Sequence, residues 1–174
     1  YSYNNTSQSE RDRQAGMAEA FKASGITIHG EEVSSADINL EGGLGLWDDL
    51  VIRKAEGELD YAMCANSTNA LGCLAASESA GRTDYKVFGI DDEADQLAAL
   101  TKENGIYYAT VAQNPFEIGV RIMEAAVHAV EGQDDGIVKV DGILVTRDTV
   151  QEYVANRERS VEELKDYLAI ITAS

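Results

Sequence analysis

Three polar residues each follow a short apolar segment that is typical of a buried β-strand. Asn66 follows YAMCA, Asp91 follows VFGI and Gln113 follows YATVA. Because the carboxyl ends of parallel strands meet at one edge of a sheet, we expect these side chains to share the rim where such folds bind ligands. A carboxylate accepts hydrogen bonds from two hydroxyls, and an amide both donates and accepts them. The pattern therefore predicts a site for a polyhydroxylated ligand.

A guanidinium, that of Arg13, lies near the start of the first predicted helix. Its planar fork of N–H groups would add donors of fixed geometry to the same set. The alternative for Arg13 is a surface ion pair with Asp12 or Glu10, which are its neighbours along the helix.

The three strand-end residues also have local alternatives. Asn66 and Asp91 each precede a predicted helix and have the side chains that cap helix N-termini. Gln113 has the simpler alternative of a polar residue leaving a strand. Each signal is weak alone, and the shared position at the strand ends is what favours a binding set.

Short apolar segments alternate with longer helical patterns along the chain. Helices are predicted at 9–24, 44–56, 68–80, from Asp91 or Asp92 to 102, at 115–130, 148–156 and 160–168, and extended segments at 26–33, 59–65, 85–90, 106–112, 137–140 and 143–145. Strands that alternate with helices favour a mostly parallel sheet covered on both faces. The predicted fold is α/β, in three layers of helices, sheet and helices.

The helix over 115–130 is unusually apolar. Asn114 and Pro115 mark its start, because Asn is a good cap and Pro suits the first helical position. One continuous apolar face is formed by Phe116, Val120, Met123, Val127 and Val130. A face this wide needs a partner surface.

Composition restricts the classes of ligand. The chain has 174 residues and a net charge of −17, from 14 Lys and Arg against 31 Asp and Glu. Such a charge repels nucleic acid and anionic lipid, and it favours a neutral ligand. Two cysteines, Cys64 and Cys73, are too few for a disulfide framework, and both are interpreted as small buried hydrophobes.

No arrangement of reactive residues predicts an enzyme. The two histidines, His29 and His128, lie on different predicted elements, and neither is paired with a nucleophile or a metal-binding set. The GGLGLW segment lacks the spacing of a phosphate loop. Asp91 and Asp92 have no third acid placed with them. We therefore expect no catalytic residue, no cofactor and no metal.

Five segments together resemble the type 1 periplasmic binding protein family, in its ribose- and galactose-binding branch. They are SERDRQAGMAEAF, LDYAMCANSTNALGCLAASESAG, KVFGIDDEADQLAAL, YYATVAQNPFEIGVRIMEAAVHAVEG and GILVTRDTV. The resemblance covers about Ser7 to Val150. It places Arg13, Asn66, Asp91 and Gln113 where this family contacts sugar hydroxyls.

The chain departs from the family pattern at several points. The family's Asn-Asp pair is Asn66-Ser67 here, so a carboxylate is lost. Trp47 lies in a segment that does not align with the family; stacking on a sugar and packing in the core are both open to it, and its place inside a helix favours the core.

The resemblance implies a solute-binding component of a carbohydrate ABC uptake system. Such a protein holds a small neutral sugar between two lobes and delivers it to a membrane permease. It is periplasmic or extracellular, and we expect a lipid anchor in the full-length protein. The alternative is the effector-binding core of a LacI-type sugar-responsive transcription regulator, which an upstream helix-turn-helix would identify.

The chain corresponds to only the second of the two lobes. Residues 1–150 are expected to form this C-terminal lobe, within which 115–140 would belong to the missing N-terminal lobe, and 151–174 a helical extension. The apolar 115–130 helix then needs another partner, and a homodimer through this helix is one such outcome. We also expect one lobe alone to bind sugar far more weakly than two.

Overall fold

The computed structural model describes residues 2–3, 7–25, 33–34 and 39–172. The helices are α1 (Gln8–Ala23), α2 (Leu40–Arg53), α3 (Ser67–Ser79), α4 (Ala94–Thr101), α5 (Pro115–Val130) and α6 (Val150–Thr172). The strands are β1 (Ser2–Tyr3), β2 (Val33–Ser34), β3 (Tyr61–Met63), β4 (Lys86–Ile90), β5 (Tyr107–Ala112) and β6 (Ile143–Thr146). Of the strand predicted at 26–33, all but Val33 lies outside the described residues.

The main sheet contains four strands in the order β3-β4-β5-β6. β4 pairs in parallel with β3 and with β5, whereas β6 runs antiparallel to β5. β1 and β2 form a separate parallel pair. The predicted α/β fold with a mostly parallel sheet is confirmed, and the parallel strands bring the carboxyl ends of β3, β4 and β5 to one edge.

Helices α2, α3 and α4 supply most of the helical part of the hydrophobic core. Their apolar residues form one cluster with Ala62, Val87 and Tyr107, which alternate along the strands with half-buried or exposed residues. Trp47 is only 2% exposed, so core packing is confirmed and sugar stacking is excluded for it. Cys64 and Cys73 are buried and free, as predicted.

The prediction that Asp91 or Asp92 caps the next helix is wrong. α4 begins at Ala94 with Glu93 as its N-cap, and the Glu93 N–H donates to Gln96 Oε1 at 3.2 Å. Asp91 cannot serve as a cap because its carboxylate is turned towards α3, where it accepts from the Ser67 N–H at 3.0 Å. Tertiary contact overrides the local signal here.

Two predictions near the carboxyl end of the chain are also wrong. Residues 137–140 form no strand, and only Ile143–Thr146 extends the sheet. The helices predicted at 148–156 and 160–168 are one helix, Val150–Thr172. No Gly or Pro interrupts the sequence between them, and Arg and Glu are good helix formers. Among the described helices, none combines the length and apolar character needed to cross a bilayer.

α2 and α3 cross in close contact at two glycines. A Cβ on Gly72 would lie 2.5 Å from the carbonyl carbon of Gly43, and a Cβ on Gly43 would lie 2.6 Å from the carbonyl oxygen of Thr68. Backbone atoms cannot give way as a flexible side chain can. The absence of side chains at both positions therefore sets the distance between these helices, and so the position of the amino end of α3.

We predict that Gly72→Ala lowers the free energy of unfolding by about 2 kcal/mol, because the added methyl group forces the helices apart. The matched control is Gly45→Ala, also in α2, where nothing lies within 4 Å of the added Cβ. This control should gain up to about 1 kcal/mol from helix propensity. Urea unfolding followed by circular dichroism measures both, and equal effects would contradict the close crossing.

Candidate functional site

The four residues predicted from the strand ends form one connected group. Gln113 Nε2 donates to Asp91 Oδ1, and Arg13 Nη2 lies 3.8 Å from the same oxygen. Arg13 Nη1 donates to the Ala65 carbonyl at 2.9 Å, next to Asn66. The residues come from α1 and from the ends of β3, β4 and β5, so the fold brings together groups that are 53 to 100 positions from Arg13 in the sequence.

Asp91 is the centre of this group, and its backbone is held in an unusual conformation. Its φ is 80°, in the left-handed region that non-glycine residues seldom adopt. The Asp91 N–H donates to the Val111 carbonyl at 2.9 Å, and Thr110 Oγ1 donates to the Asp91 carbonyl at 2.6 Å. These two bonds to β5 fix the backbone and so set the direction of the carboxylate.

The Asp91 carboxylate keeps acceptor capacity for a ligand. Oδ2 accepts from the Ser67 N–H at 3.0 Å, at the amino end of α3. Oδ1 accepts from Gln113. Since each carboxylate oxygen accepts about two hydrogen bonds, each retains capacity for one hydroxyl. Two protein donors therefore hold the side chain in place and leave the capacity that a diol requires.

Asn66 caps α3 and also contacts the group through its amide nitrogen. It is 8% exposed, and its Oδ1 accepts from the Asn69 N–H and from Thr68 Oγ1, each at 2.9 Å. The predicted cap of α3 is thus confirmed. Its Nδ2 donates to Glu10 Oε1 at 3.2 Å. One N–H of the amide is left to donate to a ligand.

Glu10 joins the group, and sequence reasoning missed it as a site residue. Its Oε1 lies 3.4 Å from Arg13 Nη1, so the alternative pairing of Arg13 with Glu10 is correct. The pair is not on the open surface, because Glu10 is only 9% exposed. The three-residue spacing of Glu10 and Arg13 was visible in the sequence, whereas the burial of Glu10 beside Asn66 was not.

Asp92 points away from the group and anchors the last helix. Tyr153 Oη donates to Asp92 Oδ2 at 2.6 Å, and Arg157 Nη1 lies 3.0 Å from that oxygen. Burial, and then the bond to Asp92, raise the pKa of Tyr153 above its usual range. Sequence reasoning missed this contact, which ties the first turns of α6 to the residue beside Asp91.

Other polar candidates lie elsewhere. His128 contacts Asp135 at 2.8 Å at the exposed carboxyl end of α5, and His29 lies outside the described residues. Within residues 2–3, 7–25, 33–34 and 39–172, no three His, Cys, Asp or Glu side chains are grouped to hold a metal ion.

Comparison with known proteins identifies the family. A family model described as periplasmic binding protein domain matches residues 2–134, and the chain belongs to this family. The ribose import binding protein of Salmonella typhimurium is 29% identical over 123 residues, which are 71% of this chain and 40% of that protein. The chain thus spans less than half the length of this relative.

Solved structures show the same fold. An ABC transporter solute-binding protein from Bacillus halodurans, with bound myo-inositol, is 25% identical and has a TM-score of 0.73, covering 88% of this chain and 53% of that one. The periplasmic binding protein component of the arabinose ABC transporter from Shewanella, bound to L-arabinofuranose, has a TM-score of 0.76 at 19% identity, covering 94% and 55%. The resemblance inferred from the motifs is confirmed.

We predict that Asp91→Gly is more stable than Asp91→Ala by about 1 kcal/mol, because a Cβ is disfavoured in the left-handed conformation. Both variants lose the carboxylate, so their difference isolates the backbone. The same pair at Asp12, an exposed residue in the interior of α1, should give the opposite order, with glycine about 1 kcal/mol worse. Urea unfolding gives the free energies of unfolding of the four variants. Equal stability of the alanine and glycine variants at position 91 would contradict the left-handed conformation of this residue.

Proposed function

We propose that this chain is the second lobe of a solute-binding protein of a carbohydrate ABC uptake system, and that it binds a small neutral sugar. The observation that carries the proposal is the group of Arg13, Asn66, Asp91 and Gln113 at the carboxyl ends of three neighbouring strands. Membership of the periplasmic binding protein domain family supports the same class.

The chemistry of the group suits a polyol. Asp91 offers two acceptor positions, Asn66 offers one N–H, and Arg13 offers the donors that Ala65 and Glu10 do not take. Gln113 is exposed and keeps its amide oxygen for a hydroxyl donor. These groups can hydrogen-bond adjacent hydroxyls at once, and a binding function requires no nucleophile or proton-transfer pair. We therefore propose a binding module and not an enzyme.

The proposed protein has two lobes that close over the ligand. In this proposal residues 1–150 form the second lobe, with 115–140 contributing to the first, and 151–174 form a helical extension. The protein would be exported, held at the membrane by a lipid anchor, and would deliver its sugar to the permease of the transporter.

The state of α5 supports its assignment to the first lobe. None of its 16 residues is buried, although Phe116, Met123 and Val127 are apolar and 50–65% exposed. Exposed apolar area costs about 25 cal/mol per Å², so a face of this size is stabilised by covering it. We propose that the first lobe covers it in the two-lobed protein, and that a second copy covers it when this lobe is alone.

The first test of the function is a thermal-shift screen of the full-length gene product against pentoses, hexoses and nucleosides. A ligand that binds only the folded state raises the melting temperature. We expect one sugar to do so and to lose about 100-fold in affinity in Asp91→Asn, which removes charged hydrogen bonds while keeping a side chain that tolerates the left-handed conformation.

Asp60→Asn is the control, because it removes the same charge at the opposite end of β3. A shift that survives Asp91→Asn would contradict the assigned site, and no shift with any sugar would contradict the proposed ligand class.

A second test concerns α5. The 174-residue chain alone should self-associate, and Met123→Glu with Val127→Glu should weaken the association at least 10-fold, since each Glu would have to be desolvated at the interface. The control Ala125→Glu adds charge to the opposite side of the helix. Sedimentation equilibrium measures the association constants, and association that is unchanged by the double substitution would exclude this face.

A further inference from the structure

The burial of Glu10 is unusual for its helix. Glu10 is the only buried residue among those of α1, at 9% exposure, while the apolar Met17 and Phe21 of the same helix are only half-buried. Both the backbone and the side chain of Glu10 are held by contacts. Its N–H donates to Ser7 Oγ at 3.2 Å, and its carboxylate contacts Asn66 and Arg13. Burying a carboxylate costs free energy unless its hydrogen bonds are replaced.

The hydrogen bonds of Glu10 are only half replaced. Oε1 accepts from Asn66 Nδ2 at 3.2 Å and lies 3.4 Å from Arg13 Nη1. Oε2 is buried and has no hydrogen-bonding partner within the described part of the chain. A buried oxygen without a partner lowers stability. An apolar residue at this position would remove that cost but would leave Asn66 Nδ2 without its acceptor. The contribution of Glu10 therefore lies in its contacts with Asn66 and Arg13.

Glu10 also changes the net charge of the binding group. Two carboxylates, those of Glu10 and Asp91, lie within 4 Å of the single guanidinium of Arg13. The nearby cation Arg157 is engaged by Asp92. Without Glu10, the group itself would hold one carboxylate, Asp91, against one guanidinium, Arg13. The Glu93 carboxylate, which accepts from Ser67 Oγ at 2.9 Å, adds nearby negative charge in either case. With Glu10, the group has an excess negative charge, and an anionic ligand is repelled where a neutral one is not.

We propose that Glu10 is a specificity-determining residue: it orients Asn66 and Arg13 for hydroxyl groups and makes the site reject sugars that carry a carboxylate or a phosphate. This inference rests on the proposed sugar-binding function. It adds to that function the exclusion of sugar acids and sugar phosphates, which have the same hydroxyls as the neutral sugars.

The test compares matched neutral and anionic sugars in the full-length gene product. The pairs are D-glucose with D-glucuronate, D-galactose with D-galacturonate, and D-ribose with D-ribose 5-phosphate, measured by titration calorimetry. In Glu10→Gln the amide oxygen still accepts from Asn66 and Arg13, but the charge is gone. We expect the preference for the neutral sugar over its anionic partner to fall about 10-fold, the size expected for one charge acting over ~6 Å in a partly solvated cleft. This ratio is the readout, whatever the change in the affinity for the neutral sugar.

Two variants separate charge from orientation. Glu10→Ala removes the acceptor as well, so affinity for the neutral sugar should also fall about 10-fold. Glu19→Gln removes the same charge from an exposed position on α1 and should leave the preference unchanged. In NMR spectra, the chemical shift of the Asn66 side-chain amide should change in Glu10→Ala and stay close to its wild-type value in Glu10→Gln.

The outcomes distinguish the two proposals. A neutral sugar that binds the wild type with an unchanged preference over its anionic partner in Glu10→Gln would overturn the role of Glu10 and leave the binding function standing. Binding of no neutral sugar to the wild type would overturn the binding function, and the role of Glu10 with it.

Discussion

The Asp91 carboxylate is the contact on which the arrangement of the site depends. It joins the end of β4 to the amino end of α3 through Ser67, to the end of β5 through Gln113, and to α1 through Arg13. Asp91 makes these contacts with its backbone in a left-handed conformation. That conformation is unfavourable by itself, and the two hydrogen bonds to Val111 and Thr110 offset its cost.

The position of α3 links the core to the site. Two glycines let α3 approach α2 to backbone contact, and the amino end of α3 carries both Asn66 and the Ser67 N–H. A shift of α3 along this crossing would move both groups relative to Asp91. Close packing in the core therefore keeps the binding residues in place, because a densely packed interior transmits displacement and does not absorb it.

One apolar helix face in the described part of the chain motivates the proposal of a two-lobed protein. The apolar face of α5 is uncovered, and the chain spans about half the length of the solved relatives. The first turns of α6, in contrast, are held by Tyr153 and Arg157 against Asp92. Burial of the apolar face of α5 therefore requires an apolar surface from outside this lobe. The attachment of α6 requires only contacts that this lobe already makes.

The fold class, the strand-end residues and the bounds of α5 could be predicted from local sequence pattern. The alternation of apolar strands with capped helices determined the α/β class, because periodicity and caps are local properties. Placement of Asn66, Asp91 and Gln113 at the rim followed from one topological rule about parallel strands. The bounds of α5, Pro115–Val130, were predicted correctly because Asn114-Pro115 is a strong start signal and its apolar face is continuous.

The tertiary structure decided what local pattern could not. In the folded chain Asp91 does not cap α4 and lies instead at the centre of the binding group. Its carboxylate accepts from the Ser67 N–H, and Ser67 comes close to Asp91 only after folding. It buried Glu10, whose environment depends on a residue 56 positions away. It attached the first turns of α6 to Asp92, which lies 61 positions before Tyr153 in the sequence. Sequence by itself determined which residues are at the strand ends; burial and long-range contact decided which of their atoms are free to bind, because those depend on groups distant in the chain.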